Sequence, residues 1–311
     1  YLEIDPSARD VVDRLATLLE AQNRPEELIA VLRTKAELCD APDERRDILL
    51  EVARITKDIL ERPDDAIAVY EEIYAQFPEE PSALDALQGL YTETEAWGRL
   101  VWTYDERLRR CGDSDEMKLY LNEKAVLYEQ FLDDSGSAIS AYREVLELDP
   151  DDVDALHKLD ELYTTAEDWL SVVEILEKTK PLVADEEAGS AEFRIGTIMS
   201  EQLGDADQAI VRFENVLGSE TLRDAAIESL RTVFFSLEHK ERVFDILAPI
   251  FTQAARYADL VALREHLVSA RDEAGFQREQ LEAIARLQEE QLEDLDAAFD
   301  AHARCLALDP A

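Results

Sequence analysis

An internal repeat of about 72 residues constrains this chain more than any other feature of its sequence. Each copy has an alanine near the start of an apolar segment, a small residue 13 positions before it and a ring four positions after it. The alanines are Ala66, Ala138, Ala209 and Ala298, the small residues are Ala53, Ala125, Gly196 and Ala285, and the rings are Tyr70, Tyr142, Phe213 and His302. Because this triplet recurs at fixed offsets, the chain is predicted to be a repeat array.

A second motif alternates with the first and places a ring six residues before a tryptophan. Tyr91 precedes Trp97 in one copy, and Tyr163 precedes Trp169 in the next copy, 72 residues later. Phe235 follows Tyr163 by another 72 residues. Each 72-residue unit is therefore predicted to contain two helical hairpins of about 36 residues.

The last interval between repeats is longer than the others. Ala209 and Ala298 are 89 residues apart, which exceeds the usual spacing by about one helix. The six-residue offset of the second motif is repeated early by Phe251 and Tyr257. We therefore predict one additional helix near residues 240–256, with a change of superhelical pitch at that point.

Apolar residues recur every three to four positions inside each segment, which is the spacing of one helix face. Clusters of Pro, Gly and Asp separate the segments, and these residues cap or stop helices. The pattern predicts an all-α chain of about 17 helices arranged as αα-hairpins. The predicted helices span 7–22, 25–39, 43–61, 64–77, 81–95, 97–111, 115–132, 135–148, 151–166, 168–180, 186–203, 206–218, 221–237, 240–254, 257–272, 275–292 and 294–308.

The residue pattern of the hairpins resembles the tetratricopeptide repeat (TPR) family. In one copy, Ala125, Ala138, Tyr142 and Pro150 match that family's small first-helix residue, second-helix alanine, ring and closing proline. The resemblance covers essentially the whole chain. It implies a solenoid in which hairpins stack as a right-handed superhelix, with the first helices lining a concave face that holds protein or peptide partners.

Two departures from the family pattern stand out. The alternate units carry Gln88 and Asp160 where a small residue is expected, and the turn inside the hairpin is one residue longer. We expect looser packing in those units.

We also expect a single solenoid that is a fragment of a longer array, because neither end has a capping pattern. Its predicted units span about 7–78, 79–150, 151–221 and 222–311.

Composition excludes several classes of partner. The chain has 72 Asp and Glu against 32 Lys and Arg, a formal charge of −40. Binders of nucleic-acid backbones need clustered basic residues, and anionic membranes repel acidic surfaces, so neither is an expected partner. No apolar run reaches the roughly 18 residues of a membrane-spanning helix. The charge is spread evenly, which fits a solubilising surface, adaptation to high salt or a field that attracts basic partners.

No motif in the sequence indicates catalysis. The four histidines, among them His239, share no i, i+4 spacing, and there is no glycine-rich phosphate loop or nucleophile motif. The cysteines Cys39, Cys111 and Cys305 lie far apart, which is typical of a reducing compartment or of inert buried thiols. We therefore expect a cytoplasmic protein that is not an enzyme and needs no cofactor or metal.

The family geometry implies which first-helix residues face the concave groove. Acidic side chains outnumber basic ones in this set, so a basic segment is a more plausible ligand than an acidic one. The groove residues are Arg54, Lys57, Asp85, Asn122, Glu129, His157, Glu161, Phe193, Glu201, Glu282, Arg286 and Glu289.

Three functional hypotheses follow from the repeat pattern. The first is an interaction scaffold that binds a protein or peptide on the concave face. The second is an architectural spacer or assembly subunit with an empty groove. The third is a non-catalytic helper domain of a larger enzyme. The sequence does not define the oligomeric state.

Overall fold

The computed structural model describes residues 9–236 and 240–308. Within these ranges every regular element is a helix: seventeen α-helices, one π-helical turn and one 3-10 turn. The predicted all-α fold with about 17 helices is confirmed, and observed helices begin within two residues of the predicted starts. The predicted first-helix start at residue 7, the predicted end at residue 237 and His239 lie outside the described residues.

The chain divides into two compact units, Tyr1–Leu148 and Asp149–Ala311. In the first unit, consecutive helices pack against each other along the chain. Its helices are α1 (Arg9–Ala21), α2 (Pro25–Glu37), α3 (Pro42–Arg54), α4 (Pro63–Gln76), α5 (Pro81–Glu93), α6 (Trp97–Leu108), α7 (Ser114–Gln130) and α8 (Ser135–Leu148).

The second unit shows the same packing of sequence neighbours, as expected for a solenoid. A 3-10 turn, Lys180–Leu182, follows its second helix. Its helices are α9 (Val153–Thr165), α10 (Trp169–Thr179), α11 (Asp185–Glu201), α12 (Ala206–Val216), α13 (Arg223–Ser236), α14 (Lys240–Gln253), α15 (Tyr257–Ala270), α16 (Ala274–Glu290) and α17 (Leu295–Ala307). The 72-residue units, the single solenoid and its handedness stay predictions.

The repeated triplet packs as its residue types predict. Ala125 and Ala138 are fully buried between α7 and α8, and Tyr142 is 3% exposed beside them. Small residues let the two helices approach closely, and the ring fills the space beyond them. In the α11–α12 hairpin the small residue is Gly196, and a Cβ atom there would lie only 2.8 Å from the Phe213 ring.

Each hairpin turn contains one residue with a left-handed backbone, with φ between 52° and 68°. All but one of these residues are not glycine, although the left-handed conformation costs an L-residue roughly 1–2 kcal/mol. From Asn23 to Gly204, alternate members of the series are 71 or 72 residues apart, and the later intervals to Ala255 and Glu293 are 88 and 89 residues. Among the described residues they are Asn23, Glu61, Glu95, Asp133, Glu167, Gly204, Ala255 and Glu293. The turns pair α1 with α2, α3 with α4, α5 with α6, α7 with α8, α9 with α10, α11 with α12, α14 with α15 and α16 with α17.

The residue after the left-handed one caps the second helix of several hairpins. The Asp134, Asp205 and Asp294 carboxylates each accept a hydrogen bond from the backbone N–H three residues later, at 3.0–3.1 Å. These caps satisfy N–H groups that have no partner inside the helix. Because α14 pairs with α15 through such a left-handed turn, α13 stands between two hairpins. The prediction of an added helix near residues 240–256 stays a prediction.

The third predicted helix, 43–61, is shorter as an α-helix than expected. After α3 the chain continues as the π-helical turn Ile55–Ile59, in which the Leu60 N–H donates to the Ile55 carbonyl oxygen, five residues back. The same bond closes α7, where the Leu132 N–H donates to the Leu127 carbonyl oxygen. Helix α7 thus ends with a single bond of the π type, whereas the end of α3 is a longer run of such bonds.

Candidate protein-binding surface

The first helix of each hairpin divides into a buried stripe and an outward face. In α9, Leu156 and Leu159 are fully buried, whereas His157 and Glu161 are exposed one turn apart. The same division holds in α7, where Ala125 is buried. Helical periodicity thus separates the residues that hold the hairpin together from those that are available to a partner.

The predicted groove residues of the first unit include two basic side chains without an ion pair among the described residues. Arg54 is exposed at the end of α3, and Lys57 is half-buried on the π turn. Asp85 on α5 is exposed, but its carboxylate lies 2.5 Å from the Arg107 guanidinium on α6. The two basic groove residues here are therefore without an ion-pair partner among the described residues, while Asp85 already has one.

The remaining two residues of the first-unit groove set, Asn122 and Glu129, are half-buried on α7. The Tyr142 hydroxyl on α8 donates to the Glu129 carboxylate at 3.4 Å. The Tyr74 hydroxyl similarly donates to Glu106 at 2.6 Å. Burial first and this hydrogen bond second raise the pKa of Tyr74 to about 12, so it is a neutral donor at physiological pH.

In the second unit, the groove residues on α9 form short polar contacts at the surface. The His157 Nε2 atom lies 3.1 Å from the Glu187 carboxylate on α11, and the Lys158 ammonium lies 3.1 Å from Glu161. Exposed pairs of this kind are worth about 0–1 kcal/mol. They can therefore exchange their partners for those of a bound protein at little cost.

The two groove residues on α11 have different environments. Glu201 is exposed and has no partner among the described residues. Phe193 is half-buried and packs against the core, with its ring centroid 5.5 Å from that of Phe213. The Phe193 ring thus contributes to the core of the hairpin and is only partly open to a partner.

The groove residues on α16 lie beside a recess of about 340 Å³ between α16 and α17. Glu282 and Arg286 line it together with His302 and Cys305 of α17. Glu282 is also 3.2 Å from the Arg278 guanidinium. The structure describes no group of three or more His, Cys, Asp or Glu side chains that could hold a metal ion, at this recess or elsewhere in its two ranges. Glu289, the third groove residue on α16, is exposed about one helical turn after Arg286.

The tryptophans pack on neighbouring rings. Trp97 stacks on Phe131 with centroids 4.2 Å apart, and Trp102 meets Tyr74 edge-on at 5.3 Å. Both indoles are half-buried. Trp102 has no equivalent in the repeat pattern, yet its ring is held inside the first unit and is a poor candidate for a partner contact.

A buried ion network in the second unit was not visible from the sequence. Glu192 on α11 is only 8% exposed and lies 2.5 Å from the Lys180 ammonium. Asn215 and Arg212 on α12 also donate to its carboxylate, at 2.7 and 3.2 Å. Burial alone would raise the pKa of Glu192, but these donors outweigh it and lower the pKa. The network joins α11, α12 and the 3-10 turn.

Most arginine and lysine side chains of the described residues are held in ion pairs within the fold. Many of these pairs link neighbouring hairpins: Arg33 with Glu72 at 3.1 Å, Arg62 with Glu26 at 2.6 Å, and Arg304 with Glu265 at 2.8 Å. Because acidic residues outnumber basic ones, such pairing leaves a large surplus of carboxylates. The negative charge is therefore not neutralised by the chain itself.

The α7–α8 hairpin matches a known repeat family. Residues 119–152, which include most of α7 and all of α8, match the family model of the tetratricopeptide repeat. The chain contains a TPR. The α11–α12 and α16–α17 hairpins share its close helix packing, and all eight hairpins share its left-handed turn, so the described chain is an array of TPR-like hairpins. No curated protein sequence matches it significantly.

Several solved structures are similar to this chain at low identity. One is Naa15/Naa10 bound to HypK-THB, with 14% identity and a TM-score of 0.43 over 99% of this chain and 54% of that chain. The chain thus spans about half of that protein's length. Another is YrrB, a TPR protein with an unusual peptide-binding site, at 11% identity and a TM-score of 0.33 over 59% of this chain and 91% of that chain.

A third similar structure is the C-terminal part of a TPR repeat-containing protein from Cytophaga hutchinsonii. It has 14% identity and a TM-score of 0.35 over 82% of this chain and 98% of that chain. Within the described part of the TPR array, no helix combines the length and apolar character needed to cross a membrane.

Proposed function

We propose that this TPR-like array is a scaffold that binds a protein or peptide partner on the outward faces of its first helices, and that the bound segment is basic. The observation that carries the proposal is the charge distribution. The chain has a net charge of −40, and most of its described cations are already held by intrachain carboxylates. A basic segment would approach faster and gain attraction over most of this surface.

The groove residues supply contacts that the overall charge does not. Glu201 and Glu289 are exposed and unpaired among the described residues, so they can each accept a cation. Arg54 and Arg286 are exposed as well and can bind carboxylate or backbone oxygens. The proposed ligand is therefore a mainly basic segment with some acceptor groups, and the acidic surplus attracts it while the groove orients it.

A peptide selection tests this proposal directly. A library of random peptides is selected on the wild-type chain at about 0.15 M salt, where the Debye length is about 8 Å and distant charges are screened. We expect the selected peptides to be net basic and to weaken as chloride is added. If no peptide binds, or if acidic peptides are selected, the proposed function is wrong.

Two charge-reversed variants separate groove contacts from the general field. Glu201→Lys changes a groove residue on α11, whereas Glu147→Lys makes the same charge change on the exposed face of the second helix α8. We expect the first variant to lower the affinity of a selected peptide about fivefold, because an exposed ion pair of about 1 kcal/mol is lost. Equal losses in both variants would refute the groove assignment.

A further inference from the structure

The hairpin turns allow one exposed position to be compared across the array. In the six hairpins between the first and the last, the residue two positions before the left-handed one is exposed. Four of the six are polar, namely Glu93, Thr165, Gln202 and Gln253, so the turn itself does not require an apolar side chain there. The other two are Ile59 and Phe131, which are 50% and 47% exposed and belong to the first unit.

Phe131 takes part in a ring stack that has no counterpart in the second unit. Its ring lies against the Trp97 indole, with centroids 4.2 Å apart and planes inclined by 29°. Trp169 is the 72-residue equivalent of Trp97 and is also half-buried, although Gln202 stands at the turn position of the phenylalanine. A half-buried indole at this position thus does not require an aromatic neighbour, which leaves the Phe131 ring available for another contact.

The surroundings of this ring stack are acidic. Glu93 and Glu95 precede Trp97 at one turn, and Asp133 follows Phe131 at the next turn. All three side chains are exposed, and their carboxylates have no partner among the described residues. Phe131 is 47% exposed, as expected for a ring with one face covered by an indole and the other face open. The first unit therefore presents an open aromatic face between unpaired carboxylates.

The chain itself contains an example of what a ring and a carboxylate bind together. The Arg256 guanidinium lies 4.6 Å from the Phe251 ring centroid, and its Nε atom donates to the Asp259 carboxylate at 2.6 Å. A planar guanidinium stacks well on a ring, whereas an ammonium is a compact and strongly hydrated charge. Among the described residues, no guanidinium or ammonium lies over the Phe131 ring.

We infer that the open face of the Phe131 ring binds an arginine side chain of the partner, with the carboxylates of Glu95 and Asp133 beside its guanidinium. Because it assumes a basic partner, this inference rests on the proposed function, and it adds the residue type that the first unit selects. The contact lies at the turn that joins α7 to α8, outside the groove set. A lysine there would keep the charge attraction but lose the stacking.

Two peptides of equal charge measure this preference. Octa-arginine and octa-lysine are titrated into the wild-type chain, and the indole N–H signal of Trp97 is followed by nuclear magnetic resonance because this indole touches Phe131. The Trp169 signal is the internal reference. We expect both peptides to bind, since general attraction depends on charge. The Trp97 signal should report an affinity for the arginine peptide that is about two- to fivefold higher, the size of an exposed cation–π contact.

Two substitutions of Phe131 test the role of its ring. Phe131→Leu keeps the position apolar but removes the π face, so the arginine and lysine peptides should bind equally at the Trp97 signal. Phe131→Tyr keeps the ring and should retain the preference for arginine. Circular dichroism should show the wild-type helix content for both variants, because the position is exposed and tolerates polar residues in other hairpins.

Ile59→Gln is the matched control, because it removes an exposed apolar side chain without a ring from the equivalent turn position. It should leave the arginine preference unchanged. If neither peptide binds the wild type, the proposed function and the inference both fail. If both peptides bind with equal affinity at the Trp97 signal, or if Phe131→Leu keeps the preference, the arginine site alone is refuted. An equal loss in Ile59→Gln would indicate a general apolar edge and would also overturn it.

Discussion

Replacing Gly196 with alanine tests whether the hairpins are as closely packed as they appear. The three equivalent positions, Ala53, Ala125 and Ala285, already carry alanine, so the repeat pattern alone predicts a harmless change. The structure predicts the opposite. A Cβ atom at Gly196 would lie 2.8 Å from the Phe213 Cε1 atom and 3.0 Å from the Arg212 Cβ atom. Such distances require a neighbour to move.

Two effects of this substitution oppose each other. Alanine favours the helix over glycine by about 1 kcal/mol, whereas overpacking a core costs about 1–3 kcal/mol. The Phe213 ring is only 2% exposed, and the Arg212 Cβ atom is fixed by the α12 backbone, so neither neighbour can move freely. The net loss therefore lies between about 0 and 2 kcal/mol. Because neither neighbour can move freely, we expect the free energy of unfolding to fall by about 1–2 kcal/mol.

Gly89→Ala is the matched control in the middle of α5. Gly89 is exposed, and no atom lies within 4 Å of the Cβ that alanine would add. Only the helix preference remains, so this variant should gain about 0.5–1 kcal/mol. The same chemical change should therefore shift stability in opposite directions at the two sites.

Urea titration followed by far-ultraviolet circular dichroism measures both variants, and hydrogen exchange of the α11–α12 amides localises the loss. Removing the ring removes the closest contact but leaves the Arg212 Cβ atom at 3.0 Å, so Gly196→Ala should cost less in a Phe213→Leu background than in the wild type. If Gly196→Ala raises the urea midpoint as much as Gly89→Ala does, the close approach of the helices is not a real constraint.

Three other expectations concern strain, a buried charge and surface repulsion. Ala255→Gly should raise the free energy of unfolding by about 1 kcal/mol, since glycine has no penalty at a φ of 53°; a lower urea midpoint would contradict this. Glu192→Gln should cost about 1–3 kcal/mol at pH 7. The fold lowers the pKa of Glu192, so its stabilisation is present above the ordinary value of 4.5 and is lost as the pH falls through the lowered pKa. The variant and the wild type should therefore converge in acid urea titrations, and a constant difference would argue against an ionic contribution. Chloride should raise the melting temperature of the wild-type chain because it screens repulsion between like charges, and a flat or falling curve would exclude repulsion as a significant factor.

The helices could be predicted from the sequence because periodicity and capping are local. Pro25, Pro63 and Pro81 each occupy the first position of a helix, where the missing N–H costs nothing. The triplet of small residue, alanine and ring was also predictable. Its three residues lie within one hairpin, so their spacing in sequence is fixed by their contact in the structure.

The state of the candidate surface was less predictable, since it depends on contacts between helices. Nothing in the sequence around Asp85 shows that Arg107, 22 residues later, binds it. The buried position of Glu192 and the inward packing of Phe193 likewise depend on α12, which lies beyond a turn. The left-handed turns were also missed, because Glu61 and Glu95 are not residues that favour a positive φ.

The left-handed turns allow different residue types to be compared in the same backbone conformation within one protein. One backbone conformation is filled by glutamate, aspartate, asparagine, alanine or glycine in otherwise similar hairpins. Exchanging the residues at Gly204 and Glu95 would preserve composition and net charge while moving strain from the first unit to the second. Since each hairpin contacts mainly its neighbours, local strain decides which hairpin opens first. The order in which the array opens on heating can therefore be changed without altering one side chain of its core.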